Sequence, residues 1–159
     1  MIEPFAINLT VEGRMPAIST IVNIMNPVNH ACISVIGLWD TGATYCHISR
    51  RLYDKLDLKF TKKSVSHGHM GSMDTIYGET LVQFCCDAHI FVLNAIVMEN
   101  LPGENIDFIN GMDFILRGEF HLAYIDGKTR FSFRYPALKA VDCINDDDYP
   151  QPKFSESFP

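Results

Sequence analysis

The sequence predicts a mainly β fold, a small barrel-like or sandwich domain carrying two short helices. Three observations predict it. Apolar segments are short and separated by turn residues. Several of them alternate apolar and polar with a period of two. One pair flanks Asp126-Gly127, a strong two-residue hairpin signal. The chain has 159 residues, enough for one ordinary domain.

The elements follow in order. "AISTIVNIM" sets Ile18, Thr20, Val22 and Ile24 on one side and Ser19, Ile21, Asn23 and Met25 on the other, so it reads as a strand. Asn26-Pro27 breaks it. "ACISVIGLW" is apolar on both faces, which predicts a central, buried strand paired with the first as a hairpin. Ser49 is an N-cap for a short helix ending near Leu58. Ile48 and Tyr53 are placed as a hydrophobic staple, and Leu52 and Leu56 share one helical face. "SVSHGHMGSMDTIYGETLVQF" carries Gly68, Gly71 and Gly78 between β-like runs and reads as a long hairpin with its tip at Gly68, His69, Met70 and Gly71. "HIFVLNAIVM" is a strand, "LPGEN" a loop and "IDFIN" a short strand. "GMDFILRG" is a brief helix between Gly111 and Gly118. "FHLAYID" and "KTRFSFRY" form the hairpin at Asp126-Gly127. The expected domain runs over 16–135. Residues 1–15 are an N-terminal extension, and 136–159 an acidic, proline-bearing, loosely held tail.

Composition narrows the function classes. At 47% apolar and 20% charged, the chain can bury a core. A net charge of −6 argues against a general nucleic-acid binder and against docking on an anionic membrane surface. No apolar run has the ~20 residues of a membrane span, and the start lacks the pattern of a secretory signal. The five cysteines are odd in number, and Cys85 and Cys86 are adjacent. That points away from a disulfide framework and toward a reducing, cytoplasmic setting.

The chemistry-bearing stretch is "LWDTGATYCHIS", Leu38 to Ser49. As turn residues, Asp40-Thr41-Gly42 could simply end a strand. Yet the strand before them is apolar on both faces, so Asp40 emerges from the core and needs hydrogen bonds or a partner. Gly42 lets a backbone N–H approach that carboxylate without a Cβ in the way.

These residues carry a resemblance. "WDTGAT" resembles the active-site loop of aspartic proteases. "IDFINGMDFILRGEF" resembles the apolar–apolar–glycine segment and following helix of the retropepsins, the single-domain, retroviral-type branch. The likeness spans Ala17 to Tyr135 and is greatest to bacterial retropepsin-like domains. It departs at Asn110, where the family has an apolar residue, and at a flap tip reading "HGHMGSMD". The resemblance implies a closed β-barrel forming one half of an acid protease, with Asp40 catalytic and Thr41, Gly42, Ala43 and Thr44 completing the loop. It implies a flap at Gly68–Gly71, with Asn110 and Gly111 supporting the loop.

Aspartic proteolysis needs two carboxyls sharing a proton. No second aspartate here is followed by Thr-Gly or Ser-Gly, including Asp74, Asp113 and Asp126. The expected assembly is therefore a homodimer that acts on a peptide or protein substrate without cofactor or metal, two Asp40 residues meeting on a two-fold axis. Thr41 would reach across to the partner loop. The alternative is the same dimer serving as a peptide-binding or scaffold module with little hydrolysis. The histidines His67 and His69 and the run from Cys85 to His89 match no zinc spacing. Cys46 beside His47 is poorly placed as a nucleophile pair, because neighbours on a strand point to opposite faces.

Overall fold

A computed structural model describes residues 5–66, 75–86 and 89–138. The strands are β1 (Phe5–Glu12), β2 (Ile18–Met25), β3 (Cys32–Trp39), β4 (Cys46–Ser49), β5 (Phe60–Ser66), β6 (Thr75–Cys86), β7 (His89–Met98), β8 (Ile106–Asn110), β9 (Glu119–Ile125) and β10 (Lys128–Tyr135). Helices α1 (Arg50–Lys55) and α2 (Met112–Ile115) interrupt them. Seven strands form one sheet in the order β2-β3-β8-β4-β7-β6-β5, and a short β2–β6 pairing over Asn23–Met25 closes it into a barrel. The mainly β barrel with two short helices is the expected class.

The hairpins follow their turn chemistry. Ile125 faces Lys128 across Asp126-Gly127, whose φ values of 52° and 75° are those of a type I′ turn. At the β2–β3 turn, buried Asn26 accepts from the Val28 N–H at 2.7 Å and donates to the Leu56 carbonyl at 2.8 Å. One side chain thus closes its own turn and fastens the end of α1. Helix α1 starts as expected, with the Ser49 Oγ accepting from the Leu52 N–H at 3.1 Å, and its last helical residue is Lys55 rather than Leu58. Asp57, in the left-handed region at φ 49°, closes it, with the Asp57 N–H donating to the Asp54 carbonyl at 3.0 Å and the Leu58 N–H to that of Tyr53 at 3.1 Å.

Two expectations are revised. The strand β3 is less buried than its composition suggests. Its first half alternates exposed and half-buried residues, and only Gly37 and Trp39 are fully buried. It lies inside the sheet between β2 and β8, with Cys32, Ser34 and Ile36 exposed on one face. The segment 1–15 is also more than an extension. Residues Phe5–Glu12 pair antiparallel with β10, which in turn pairs with β9, giving a three-stranded sheet β1-β10-β9. Phe5 is buried, 5.8 Å from the Phe91 ring and 6.1 Å from Phe133, so this strand belongs to the core.

Aromatic packing joins the barrel to that second sheet. Trp39 sits 4.9 Å from Phe133, 5.1 Å from Phe131 and 5.9 Å from Phe114 between ring centroids. Phe114 in turn lies 4.6 Å from Phe84. Such rings bury large apolar areas, and truncating any one typically costs about 3–5 kcal/mol. The residue immediately before Asp40 is therefore the hub of the core.

Candidate active site

The Asp40 loop hangs from Trp39. Besides its ring contacts, the Trp39 Nε1–H donates to the Thr20 Oγ1 at 2.9 Å, which fixes the indole about its long axis. The chain then leaves the core, and Asp40 begins the turn. Its N–H donates to the Asn110 carbonyl at 3.1 Å, and its own carbonyl accepts from the Ala43 N–H at 3.2 Å. The Gly42 N–H donates to the Asp40 Oδ1 at 2.8 Å. A Cβ on residue 42 would stand 3.1 Å from that same oxygen, so glycine leaves the carboxylate its room. One oxygen of Asp40 is thus oriented by the backbone, and Asp40 itself remains partly exposed. Thr41, Gly42 and Thr44 are exposed around it, and Ala43 is half-buried.

A second segment grips the loop from below. β8 runs parallel to β3 with Trp39 opposite Asn110. The Asn110 side chain is fully buried, and its Nδ2 donates to the Leu38 carbonyl at 3.3 Å. Asn110 therefore holds the chain on both sides of Trp39, once through its backbone and once through its amide. Its Oδ1 has no hydrogen-bond partner among the described residues. Gly111 follows, and a Cβ there would lie 2.3 Å from the Tyr45 carbonyl oxygen. That close approach lets the Met112 N–H reach the Ala43 carbonyl at 2.8 Å and the Asp113 N–H reach that of Thr44 at 3.2 Å. The start of α2 is stitched to the loop by its own unsatisfied N–H groups. Asn110 and Gly111 are thus brought together with Asp40, Ala43 and Thr44. The flap residues Gly68, His69, Met70 and Gly71 lie outside the described residues.

Other acidic groups near the site are committed elsewhere. Asp113 Oδ1 accepts from the Cys46 thiol at 3.1 Å. Burial pushes the Cys46 thiol well up, with the Asp113 carboxylate adding to it against the opposing Gly111 backbone hydrogen bond and Arg117 charge. Cys46 is accordingly a buried structural thiol and not a nucleophile. Asp107 Oδ1 accepts from the Ser49 Oγ at 2.5 Å, and Arg51 pairs with both of its oxygens, at 3.1 and 2.7 Å. Burial alone would raise its carboxyl, yet the Arg51 and Ser49 hydrogen bonds outweigh this and hold it below the ordinary carboxylate value. Neither role is visible in local sequence, since the partners lie 67 and 56–58 residues away. Among the described residues, no group of histidine, cysteine and acidic side chains is arranged to hold a metal ion. Within them, too, no helix is long and apolar enough to cross a membrane.

Comparisons with known proteins come from structure alone. No protein-family model and no curated protein matches the sequence. Among solved structures, the chain is similar to a retropepsin-like aspartic protease from Rickettsia conorii, with 12% identity, TM-score 0.49, and coverage of 84% of this chain and 97% of that one. It is similar to EIAV protease, solved in complex with the inhibitor HBY-793, with 20% identity, TM-score 0.41, and coverage of 63% and 86%. It is similar also to the retroviral protease-like domain of Ddi1 from Leishmania major, with 14% identity, TM-score 0.43, and coverage of 71% and 93%.

Proposed function

We propose that the chain is an aspartic endopeptidase that works as a homodimer, with one Asp40 from each subunit. The observation that carries this reading is the construction of the Asp40 loop. A carboxylate is delivered from the buried end of β3, oriented by the Gly42 N–H and locked by Asn110. Asp107 and Asp113 do not offer a second acid to the loop, being engaged by Arg51 and Cys46.

The chemistry follows from the pair. Two carboxyls within about 3 Å cannot both ionise readily, so one keeps a proton while the other is charged. The charged Asp40 takes a proton from a water as it attacks the peptide carbonyl. The protonated Asp40 donates its proton to the carbonyl oxygen, giving a gem-diol. The Asp40 that took the water proton then passes it to the leaving amine, while the other recovers a proton from a gem-diol hydroxyl as the C–N bond breaks. Thr41, exposed beside Asp40, would clasp the partner's loop. The hairpins ending at Gly68–Gly71 would close over an extended substrate and exclude water.

The three-stranded sheet supports the dimer. β9 is an edge strand, and Leu122 and Tyr124 on it are about half exposed, at 54% and 49%, although they share the face on which Phe120 meets Trp39. Among the described residues β9 has a neighbouring strand on one side, and a sheet edge carrying half-exposed apolar side chains such as Leu122 is suited to a second copy. Among the described residues, the thiols of Cys32, Cys46 and Cys85 are in no disulfide, which suits the reducing, cytoplasmic setting.

Asp40→Asn tests the reading. Cleavage of peptides should fall by at least about a thousandfold while the dimer stays folded. Cleavage that survives the substitution rejects the mechanism.

A further inference from the structure

The sheet β1-β10-β9 has two unlike faces. Thr129, Phe131 and Phe133 of its middle strand β10 are buried, so Lys128, Arg130 and Arg134 point to the outer face. Three cations thus line one strand of a chain whose net charge is −6. Their surroundings differ. Lys128 stands opposite Glu12 on β1 and has its carboxylate at 2.8 Å. Arg130 is exposed between Thr10 and Ala123, neither of which is charged. Arg134 stands between Ala6 and Glu119, but Glu119 is engaged elsewhere. One of its oxygens accepts from the Leu138 N–H, and the other lies 3.7 Å from the His121 Nε2. Among the described residues, Arg130 and Arg134 have no ion-pair partner.

Solvated arginines alone say little, since surface charges often go unpaired. The sequence that follows supplies the opposite charge. Leu138, the last described residue, is tied to Glu119 beside Arg134. Residues 139–159 carry Asp142, Asp146, Asp147, Asp148 and Glu156 against Lys139 and Lys153, which is −3 of the chain's −6. Asp146 is eight residues beyond Leu138. A flexible tether of that length spans about 16 Å. Arg130 and Arg134 are four residues apart on one strand, about 13 Å. The acidic run therefore reaches both, at an effective concentration on the order of millimolar.

We propose that the outer face of this sheet is a docking surface for the chain's own acidic segment, with Asp146–Asp148 paired to Arg130 and Arg134 of the same subunit. Each guanidinium presents a planar fork of N–H donors that matches a carboxylate. Docking of this kind needs reach and charge, and no helix or strand in the segment. It is independent of the protease reading, because nothing in the Asp40 loop takes part.

The test uses the full chain and a triple variant, Asp146→Asn with Asp147→Asn and Asp148→Asn, which leaves the sheet itself unaltered. The side-chain Nε–H NMR signals of Arg130 and Arg134 should differ between wild type and variant at about 20 mM NaCl. They should coincide at about 500 mM, where exposed ion pairs are screened. Arg51, held by Asp107, is the control and should not move. Labelled triple variant mixed with unlabelled wild type, after subunit exchange, should keep its arginine signals where they were, because the contact lies within one subunit. Identical arginine signals in the two proteins at low salt would overturn the inference, as would a difference that survives about 500 mM salt. Arginine signals in the labelled variant that follow the added wild type would assign the face to the segment of a second copy, and would overturn it as well.

Discussion

Gly111 is where a single methyl group should do most damage. Its missing Cβ would stand 2.3 Å from the Tyr45 carbonyl oxygen, 2.4 Å from the Tyr45 carbonyl carbon and 2.9 Å from the Cys46 nitrogen. Ordinary contact is about 3.5 Å, so alanine overlaps rigid backbone by about 1 Å. Neither side yields easily. Tyr45 leads directly into β4, paired with β7 and β8, and Gly111 leads into α2, whose Phe114 is fully buried. Forcing the segments apart costs about 1–3 kcal/mol in overpacking. It also stretches the Met112 to Ala43 and Asp113 to Thr44 hydrogen bonds, each worth about 1 kcal/mol. Gly111→Ala should therefore lose about 3–5 kcal/mol of unfolding free energy in a urea titration. Its Tm should fall by roughly 10 °C. Peptide cleavage should drop further, by about a hundredfold at temperatures where the variant is still folded, because the loop bearing Asp40 moves with Ala43 and Thr44. An alanine variant within about 0.5 kcal/mol of wild type would refute this account of how the loop is held.

Trp39→Phe keeps a ring among Phe114, Phe131 and Phe133 but loses the bond to Thr20. It should cost about 1–2 kcal/mol by denaturant melting, whereas Trp39→Ala should cost about 3–5. Thiol labelling of the native protein should modify exposed Cys32 readily and spare Cys46 until the chain unfolds, read by peptide mass mapping. The Asp107 carboxyl is held below its ordinary value, so its contribution to stability is present above the unfolded-state pKa and disappears as pH falls through the folded one. Asp107→Asn should thus be less stable than wild type at neutral pH, and the two should converge as pH drops below the ordinary carboxylate range.

Local chemistry made much of the fold legible. The bounds of β2, β7 and β8 follow from alternation and turn residues, and the Asp126-Gly127 hairpin from its dipeptide. Ser49 caps α1 as its hydroxyl suggests. The elements that were missed depend on distant partners. "FAINLTVE" alternates cleanly, with Phe5, Ile7, Leu9 and Val11 on one face, so a strand signal was present in it. No turn connects it to β10, and its partner strand begins at Lys128. Asp107 and Arg51 gave no local sign of pairing for the same reason.

At the site, Asp40 and Gly42 were legible because the turn demands them. Asn110 stood out as a polar residue at an apolar position, and its buried amide proves to hold the Leu38 carbonyl. Gly111 read as the start of a helix. Its larger role, admitting the Tyr45 backbone to within van der Waals contact, depends on a strand 65 residues earlier in sequence and could not be read locally. Gly78 is similar. In sequence it is one of the glycines between β-like runs of the hairpin segment, yet a Cβ there would lie 2.4 Å from the Lys62 carbonyl oxygen and 2.5 Å from the Phe60 ring, so it serves packing between β5 and β6.

The central claim is that one Asp40 is half of a catalytic pair. A crystal structure of the active protein in solution-relevant dimer form, with a non-cleavable peptide analogue bound, measures it directly as the separation of the two Asp40 carboxylates. The account predicts a two-fold dimer with those oxygens about 3 Å apart. Asp40 carboxylates far from each other in the peptide-bound assembly, or a peptide-bound monomer that cleaves at full rate, would contradict it.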